Sequence, residues 1–371
     1  MSERAPHLLV LSGWAGVVEQ ALGLGFEVSF IGSTSHFSSR DMEILSACRH
    51  ALPVPADQTV ACLQEARAIH DERPLDAAIT FGEHGLESCA LIADALGIKG
   101  LPLATVAATH YKDRMRDILA CHPGLALGWA RVANGEELEK FHARYGLPLI
   151  VKPVAGAGSV GIRQLTTFDE LRNLLDDAEF WNKGPYLAEE FIEGDFLHSV
   201  ETVTLDGRHA IAGISSSRLA PYPNLALIET AVPPPAAHSR HLDTVARTVL
   251  AFLDAIGHTW GLTHTEVKVT KDGRAIVIES QPRIGGYRIY GMVEHATGVD
   301  QVGTILRSLL PGGETVRSPH LPPATSVGMV ISLIPPRKRV VRCADPELLR
   351  GIEGVDDFEI GIRPGEVPLP V

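Results

Sequence analysis

A lysine and a run of glycines lie close together near the middle of the chain. Lys152 belongs to the apolar segment 149–154, and Gly156, Gly158 and Gly161 follow it. Backbone N–H groups of a glycine-rich loop bind phosphate oxygens, and a lysine on the preceding strand adds positive charge beside them. The spacing also fits the GxGxxG pattern of dinucleotide-binding proteins, but that pattern requires a helix where this sequence is typical of a strand. We therefore expect a phosphate-binding β-hairpin flap, and the alternative is a flexible surface hairpin.

Two glutamates are predicted to face each other across a second hairpin. Asp272-Gly273 is typical of a two-residue hairpin loop, and such a loop would place Glu266 opposite Glu279. Their Cβ atoms would then be about 4.5–5.5 Å apart, where like charges repel unless a cation lies between them. Mg²⁺ binds through one or two carboxylates together with substrate phosphates, and Gln281 is placed to add an amide oxygen. We expect a metal site here, and the alternative is a solvated polar face neutralised by nearby basic side chains.

Alternation along this hairpin separates an apolar face from a polar one. The apolar face is predicted to contain Val267, Val269, Ile276 and Ile278. The polar face is predicted to contain His264, Glu266, Lys268, Glu279 and Gln281.

Short apolar runs alternate with amphipathic stretches in the first third of the chain. This pattern predicts strands at 7–11, 27–31 and 75–80, and helices at 17–22, 59–70 and 85–96. Strands that alternate with helices form parallel, doubly wound sheets, so we expect a Rossmann-like α/β domain.

The rest of the chain has a different pattern. Helices are predicted at 112–120, at 168–178 with Thr166 or Thr167 as the N-cap, and at about 240–256. Strands are predicted on both sides of the glycine-rich loop, over most of 186–281, and as short segments after residue 318. Runs of strands with few helices indicate an α+β region.

Length, charge and cysteine content narrow the class of protein. A chain of 371 residues corresponds to roughly two to three domains. Its 33 Lys and Arg against 45 Asp and Glu give a net charge of −12, which argues against a nucleic-acid partner. No apolar stretch reaches the roughly 18 residues of a membrane helix, and the apolar run at 8–11 is too short for a signal sequence. The five cysteines form no CxxC pair, so we expect a cytoplasmic protein with reduced thiols and no membrane partner.

With these segments in this order, the sequence resembles the ATP-grasp superfamily of carboxylate–amine ligases, and most of all its L-amino acid ligase (dipeptide synthase) branch. The resemblance extends over about residues 5–310 and depends on the order and spacing of the motifs. It implies an ATP-grasp fold, α/β plus α+β. The implied domains are a Rossmann-like preATP-grasp domain (1–108), a small lid with the flap (109–190) and a C-terminal antiparallel-sheet domain (191–371).

The resemblance also implies roles for individual residues. Nucleotide binding is assigned to Lys112, Lys152, Gly156, Ala157, Gly158, Ser159, Glu189, Glu190, Phe191 and Ile192, with His198 at the ribose and Arg116 following on the helix of Lys112. Metal binding is assigned to Glu266, Glu279 and Gln281, and catalysis to Lys152 and Arg283. Substrate binding is assigned by the resemblance to Glu83, Arg283, Gly285 and Gly286, and by position and charge alone to Ser215, Arg218 and Arg288.

The implied activity is an ATP-dependent ligation. ATP and Mg²⁺ (two ions, or Mn²⁺ in their place) would activate a small acid as an acylphosphate, which an amine attacks to form an amide or peptide bond. The partners would be a small-molecule acid and amine, and a homodimer is expected because that is the commonest oligomer of soluble proteins. Two alternatives stay open: an ATP-grasp carboxylase or formyl-type ligase that uses bicarbonate or formate, and a nucleotide-binding protein without ligase activity.

Overall fold

The structure is a computed structural model. It describes residues 4–155, 161–194, 196–219, 227–316, 319–332, 339–342, 345, 347–355, 358, 360 and 363–367. Within these ranges the chain forms three β-sheets with helices packed on and between them.

The N-terminal sheet has four parallel strands. They are β1 (His7–Leu11), β2 (Glu27–Ile31), β3 (His50–Leu52) and β4 (Ala77–Ile79), in the order β3-β2-β1-β4. Its helices are α1 (Ala15–Gly23), α2 (Ser39–Leu45), α3 (Thr59–Glu72) and α4 (Leu86–Leu96). β1 is buried along its whole length, as expected for a strand covered on both faces. The predicted Rossmann-like arrangement is confirmed, whereas α2 and β3, both short, were not predicted.

The second sheet, which we call the middle sheet, is antiparallel. Helices α5 (Leu103–His110) and α6 (Lys112–Ala120) lead to it. Its strands are β5 (Trp129–Val132), β6 (Leu149–Pro153), β7 (Arg163–Leu165) and β8 (Tyr186–Glu190), in the order β5-β8-β6-β7. Its helices are α7 (Gly135–Tyr145), α8 (Phe168–Leu175) and α9 (Ala178–Trp181). α8 ends three residues before the predicted 168–178 helix does, and its N-cap is Thr167, in a capping box with Glu170. β6 and β7 pair as the predicted hairpin.

The third sheet, which we call the large sheet, has six antiparallel strands. They are β9 (Phe196–Leu205), β10 (Arg208–Leu219), β11 (Leu227–Val232), β12 (Gly261–Val269), β13 (Ala275–Gln281) and β14 (Gly328–Ile331), in the order β13-β12-β9-β10-β11-β14. The remaining helices are α10 (Leu242–Ala255), α11 (Ile289–Thr297), α12 (Gln301–Ser308) and α13 (Glu347–Arg350). α10 packs on one face with Val200 and Val267, and α11 and α12 pack on the other with Val203 and Leu262.

The hairpin formed by β12 and β13 differs from its prediction at the loop. Val269 pairs with Ala275 and the Thr270 N–H donates to the Arg274 carbonyl at 2.8 Å, so the loop has the three residues 271–273, and the predicted two-residue loop is wrong. Gly273 has a φ of 85°, which is typical of the last position in such a loop. A β-bulge then shifts the register by one residue, and this shift brings Glu266 opposite Glu279 after all.

The same bulge changes which side chains share a face. Glu266 pairs with Glu279 but Val267 pairs with Val277, which leaves Ile278 as the extra residue of β13. Val267, Val277 and Ala275 therefore pack together against α10. The prediction that Ile276 and Ile278 belong to this apolar face is wrong, because the bulge reverses the alternation beyond it.

Candidate active site

A buried ion-pair cluster joins the middle sheet to α6. Lys152 Nζ lies 2.8 Å from Glu189 Oε2, and Arg116 Nε lies 2.6 Å from Glu189 Oε1. Burial alone would raise the pKa of the Glu189 carboxyl, but Arg116 and Lys152 outweigh it and lower this pKa to about 2. Burial lowers the pKa of Lys152, and Glu189 opposes that effect. Two cations share one carboxylate, so the cluster carries excess positive charge at the end of the strand that precedes the predicted flap.

The β13 bulge supplies backbone acceptors to this cluster. Arg116 Nη1 donates to the Val277 carbonyl at 2.8 Å and Nη2 to the Ile278 carbonyl at 3.1 Å. Lys152 Nζ lies 3.5 Å from the same Ile278 carbonyl. These contacts tie α6 and the middle sheet to the strand that carries Glu279. Arg116 was expected only to follow Lys112 on the same helix; the spacing of four residues, which puts both side chains on one helix face, was the available signal.

The predicted metal ligands lie together next to this cluster. Glu279 is opposite Glu266 in the β12–β13 ladder, and Lys112 Nζ lies 3.4 Å from Glu279 Oε2. Burial raises the pKa of Glu279, but Lys112 and then Lys152 outweigh it, so the net shift is downward. Gln281 Nε2 donates to Glu279 Oε1 at 2.9 Å, and Gln281 Oε1 is buried without a hydrogen-bond partner among the described residues.

These donors fit a hard divalent cation. Two carboxylates and an unpartnered amide oxygen form the oxygen set that Mg²⁺ or Mn²⁺ takes. No group of three or more His, Cys, Asp and Glu that could hold a metal is found in the described part of the chain. The candidate set therefore consists of two carboxylates and the Gln281 amide oxygen, and Mg²⁺ commonly binds through one or two carboxylates together with substrate phosphates.

A buried carboxylate that the sequence analysis missed lies behind Glu266. Glu201 of β9 is the cross-strand neighbour of His264, and the two meet at 2.5 Å between Glu201 Oε1 and His264 Nδ1. The other ring nitrogen, His264 Nε2, lies 3.6 Å from Glu266 Oε1. Burial would lower the pKa of His264, but Glu201 and Glu266 outweigh it and raise this pKa to about 10. The signal in the sequence was the alternation of polar Ser199 and Glu201 with apolar Val200 within a predicted strand.

Arg283 connects the large sheet to the N-terminal sheet. Arg283 Nε lies 2.6 Å from Glu83 Oε2, and Arg283 Nη1 donates to the Ile284 carbonyl at 2.7 Å. Glu83 begins a short 3₁₀ turn just after β4, at the carboxyl edge of the parallel sheet, where ligands of open α/β sheets bind. The predicted neighbours Gly285 and Gly286 follow Arg283, and the Gly285 N–H donates to Glu201 Oε2 at 3.0 Å.

The strand register places Ser215 on the same face as the glutamates. Glu279, Glu266, Ser199 and Ser215 are successive partners across β13, β12, β9 and β10. The Ser215 side chain is fully buried, and its Oγ has no hydrogen-bond partner among the described residues. Arg288 precedes α11 with a left-handed φ of 58°.

Two predicted residues lie on the other face. His198 pairs with Val267, on the α10 side, because it alternates with Ser199. Arg218 pairs with Phe196, which lies two residues before His198 on β9, so Arg218 lies on the same face as His198. Arg218 also lies 3.5 Å from Glu229 in a solvent-exposed ion pair. The ribose assignment of His198 and the substrate assignment of Arg218 are therefore not retained.

The segment after β8 is held by a lysine of β12. Lys268 Nζ donates to the carbonyls of Ile192 and Gly194 at 3.2 and 3.3 Å, and lies 5.1 Å from the centre of the Phe191 ring. Glu190 Oε2 accepts the Gly128 N–H at 2.7 Å. The predicted adenine-binding segment is thus anchored on both sides. The flap residues Gly156, Ala157, Gly158 and Ser159 lie outside the described residues.

Comparison with known proteins agrees with this geometry. Residues 145–290 match the family described as "ATP-grasp domain". The alanine–anticapsin ligase of Bacillus amyloliquefaciens is 25% identical over 278 residues, which cover 68% of this chain and 57% of that protein. The chain spans little more than half the length of the first curated relatives that it matches.

Solved structures identify the fold. The L-amino acid ligase from Bacillus licheniformis superposes with a TM-score of 0.69 at 24% identity, over 83% of this chain and 75% of that one. The biotin carboxylase domain of the Hydrogenobacter thermophilus 2-oxoglutarate carboxylase superposes with a TM-score of 0.70 at 18% identity, over 87% and 73%. The chain therefore has the ATP-grasp fold, as predicted. Within the described residues, no helix is long and apolar enough to cross a membrane.

Proposed function

We propose that the chain is an ATP-dependent carboxylate–amine ligase that forms an amide or peptide bond and releases ADP and phosphate. The observation that carries this proposal is the arrangement around the end of β13. The proposed metal ligands Glu266, Glu279 and Gln281 lie on β12 and β13, and Arg283, two residues after Gln281, forms an ion pair with Glu83 of the N-terminal α/β unit. A phosphoryl donor and a carboxylate would meet there.

The nucleotide half of the site uses the buried cations. Lys112 and Lys152 would bind the phosphates of ATP together with the flap at 156–161, and the backbone of Glu189, Glu190, Phe191 and Ile192 would bind the adenine. Glu266, Glu279 and Gln281 would hold Mg²⁺, as two ions or with Mn²⁺ in their place. The bound metal supplies charge neutralisation on the transferred phosphoryl group. Lys152 is buried, and in such a water-excluded site its charge would act more strongly on the phosphoryl group than it would in water.

The acid half of the site uses Arg283. Its guanidinium would bind the substrate carboxylate and the developing phosphate, and the loop of Gly285 and Gly286 would bound the substrate, with Glu83, Ser215 and Arg288 on the remaining walls. A carboxylate oxygen attacks the γ-phosphorus of ATP and the bond to ADP breaks. The amine nitrogen then attacks the acyl carbon of the acylphosphate, and the bond to phosphate breaks. No protein nucleophile is needed, and a closed flap would keep water from the acylphosphate.

Amino acids are the proposed substrates. The names of the relatives, alanine–anticapsin ligase and L-amino acid ligase, support this class. The Glu83–Arg283 pair supports it as well, because it offers one anion and one cation to a zwitterion. We further propose the domain limits 1–108, 109–190 and 191–371, a homodimer, and a cytoplasmic location.

Phosphate release tests the proposal. Purified protein with ATP and Mg²⁺ is given single and paired amino acids, and products are identified by mass spectrometry. We expect phosphate release that depends on an amino acid, together with a product mass equal to the sum of two substrates minus water. Release with bicarbonate or formate alone would favour the carboxylase or formyl-type alternative. Nucleotide binding without phosphate release under any condition would favour the non-catalytic one.

A further inference from the structure

Glu201 and His264 form a buried acid–base pair, and neither residue is among those proposed to bind nucleotide, metal or substrate. Both side chains are buried. A buried carboxylate is costly unless its oxygens are bonded, and here each oxygen has a partner. One faces His264 Nδ1 at 2.5 Å, and the other accepts the Gly285 N–H at 3.0 Å.

The loop after Arg283 rests directly on this pair. A Cβ atom at Gly285 would lie 2.9 Å from Glu201 Oε1 and 2.9 Å from His264 Nδ1, which is closer than carbon packs against either atom. Glycine at this position therefore allows the backbone to come within hydrogen-bond reach of Glu201. The position of the pair sets the position of the Gly285–Gly286 loop.

The opposite end of the pair points to the predicted metal site. With Nδ1 held by Glu201, the imidazole presents Nε2 to Glu266 Oε1 at 3.6 Å. His264 is also the cross-strand partner of Gln281. The ring therefore lies between Glu201 and two of the three proposed metal ligands. Residues that hold a ligand in this way tune metal sites, and their loss costs about 10- to 100-fold in metal affinity or activity.

We infer that Glu201 and His264 are positioning residues that set the orientation of Glu266 and the position of the Gly285–Gly286 loop together. This inference rests on the proposed function, because it assigns no role to the pair unless Glu266 binds a metal and the loop bounds the acid. It predicts that the contact of His264 Nε2 with Glu266 supports metal binding, that the Glu201 contacts support recognition of the acid, and that substitution can separate the two effects. A purely structural pair would affect folding stability alone.

Two substitutions at His264 separate the two contacts. In His264→Asn the amide nitrogen takes the place of Nδ1 and keeps the bond to Glu201, but nothing reaches Glu266. In His264→Gln the amide takes the place of Nε2 and keeps the contact with Glu266, but the bond to Glu201 is lost. Glu201→Gln weakens the contacts on both sides. Thr202→Val and Thr263→Val are matched controls, because their hydroxyls form a buried pair one residue away on the same two strands, on the α10 side.

The readouts are calorimetric binding of ADP at a series of Mg²⁺ concentrations, the KM for the acid, and the thermal midpoint. For His264→Asn we expect about 10-fold more Mg²⁺ for half-maximal ADP binding, with an almost unchanged KM for the acid. For His264→Gln we expect the reverse, and for Glu201→Gln we expect both effects. The controls should lower only the thermal midpoint.

Three results would overturn the inference. Equal effects of His264→Asn and His264→Gln on both readouts would indicate a structural pair. So would a Glu201→Gln protein that is less stable but unchanged in Mg²⁺ dependence and KM, or control variants that shift Mg²⁺ dependence as much. If the unmodified protein binds no ADP at any Mg²⁺ concentration, the proposed function itself fails, which is a distinct outcome.

Discussion

At the scale of single residues, Glu189 is the carboxylate with the most unusual environment in the described site. It is buried between Arg116 and Lys152, and its pKa is lowered from 4.5 to about 2. A carboxyl whose pKa is lower in the folded state stabilises the fold above its unfolded pKa, and this stabilisation is lost as the pH falls toward the folded pKa. We therefore expect the stabilisation by the Glu189 carboxylate to be complete above about pH 5 and to be lost between pH 4.5 and pH 2.

Substitution of this residue tests that pH dependence. In Glu189→Gln the titrating group is gone, so the free energy of unfolding should depend less steeply on pH in the acid range. For the unmodified protein we expect a loss of about 2 kcal/mol from Glu189 between pH 7 and pH 3, an order-of-magnitude value from the two pKa values. Urea unfolding at pH 7, 5, 4 and 3 measures it. Parallel pH curves for the two proteins would contradict the prediction.

Two arginines provide the second residue-scale test. Arg283 is bonded to Glu83 next to the metal-ligand set, whereas Arg218 lies on the other face of the large sheet with Glu229. Arg283→Ala should lower kcat for amino-acid-dependent phosphate release by about 10²–10³, as expected when a donor to the transition-state charge is lost. Arg218→Ala should stay within about twofold of the unmodified protein, because an exposed ion pair contributes little. If the two variants lose activity equally, the assignment of faces is wrong.

At the scale of elements, the sequence predicted most strands and helices but not the detail that shapes the site. The continuous apolar run at 7–11 and Gly97, which follows the predicted helix at 85–96, are local signals. The run forms β1, and Gly97 ends α4 with a left-handed φ of 63°. Asp272-Gly273 signals a hairpin but does not distinguish a two-residue from a three-residue loop. The bulge at Ile278 compensates for that difference, and it also directs two carbonyls to Arg116. The contact of Arg116 with these two carbonyls joins α6 to the paired strands β12 and β13, which are distant from it in sequence, so no local pattern reveals it.

The same limit explains why His198 was expected on the face of the site and why Glu201 was missed. His198 lies only one residue from Ser199, yet alternation turns it away from the site, and its face is decided by the register of β9 against β12. Glu201 is important only because His264 and Gly285 reach it from other segments. Sequence spacing can place two residues on one face of a hairpin, but contacts between separate elements require the packed structure.

The segment after β8 provides a prediction at the same scale. Lys268 donates to two carbonyls of that segment, while the exposed Lys271 contacts Glu193 nearby. Lys268→Met should raise the Kd for ADP about three- to tenfold, because hydrogen bonds from a charged group are worth about 1.5–3 kcal/mol and part of that is lost to water. Lys271→Met is the matched control and should leave the Kd unchanged. Calorimetry measures both, and equal Kd values for the two variants would show that the Lys268 contacts do not hold a nucleotide-binding segment.

At the scale of the whole molecule, a negatively charged chain concentrates cations where a polyanion would bind. The net charge is −12, yet Lys112, Lys152 and Arg116 converge from α6 and β6 on the buried Glu189 and the partly buried Glu279. Net charge therefore argued against a nucleic-acid partner but carried no information on this cleft. The cations are already paired in the described structure, so a nucleotide has to replace or share these partners when it binds.

The arrangement of the apolar cores predicts which part of the molecule responds to that exchange. One core runs from the N-terminal sheet through α11 and α12 into the large sheet, whereas the middle sheet packs on a core of its own with α7 and α8. The polar contacts of Lys152 and Glu189 join the middle sheet to α6 and β13. A nucleotide bound between these parts should stabilise the middle sheet against local opening.

Hydrogen exchange measures this effect. At a concentration of 100 times the Kd, Mg²⁺ and ADP should slow exchange of opening-limited amides in β6 and β8 by up to about 100-fold, because ligand at that excess adds about 2.7 kcal/mol to the opening free energy. Amides of β1, in the continuous core, should change little by comparison. Equal protection of β1 and β8 would mean that the sheets open as one unit. An unchanged β8 would mean that the nucleotide does not bind between the middle sheet and β13, because a ligand held there must resist their separation.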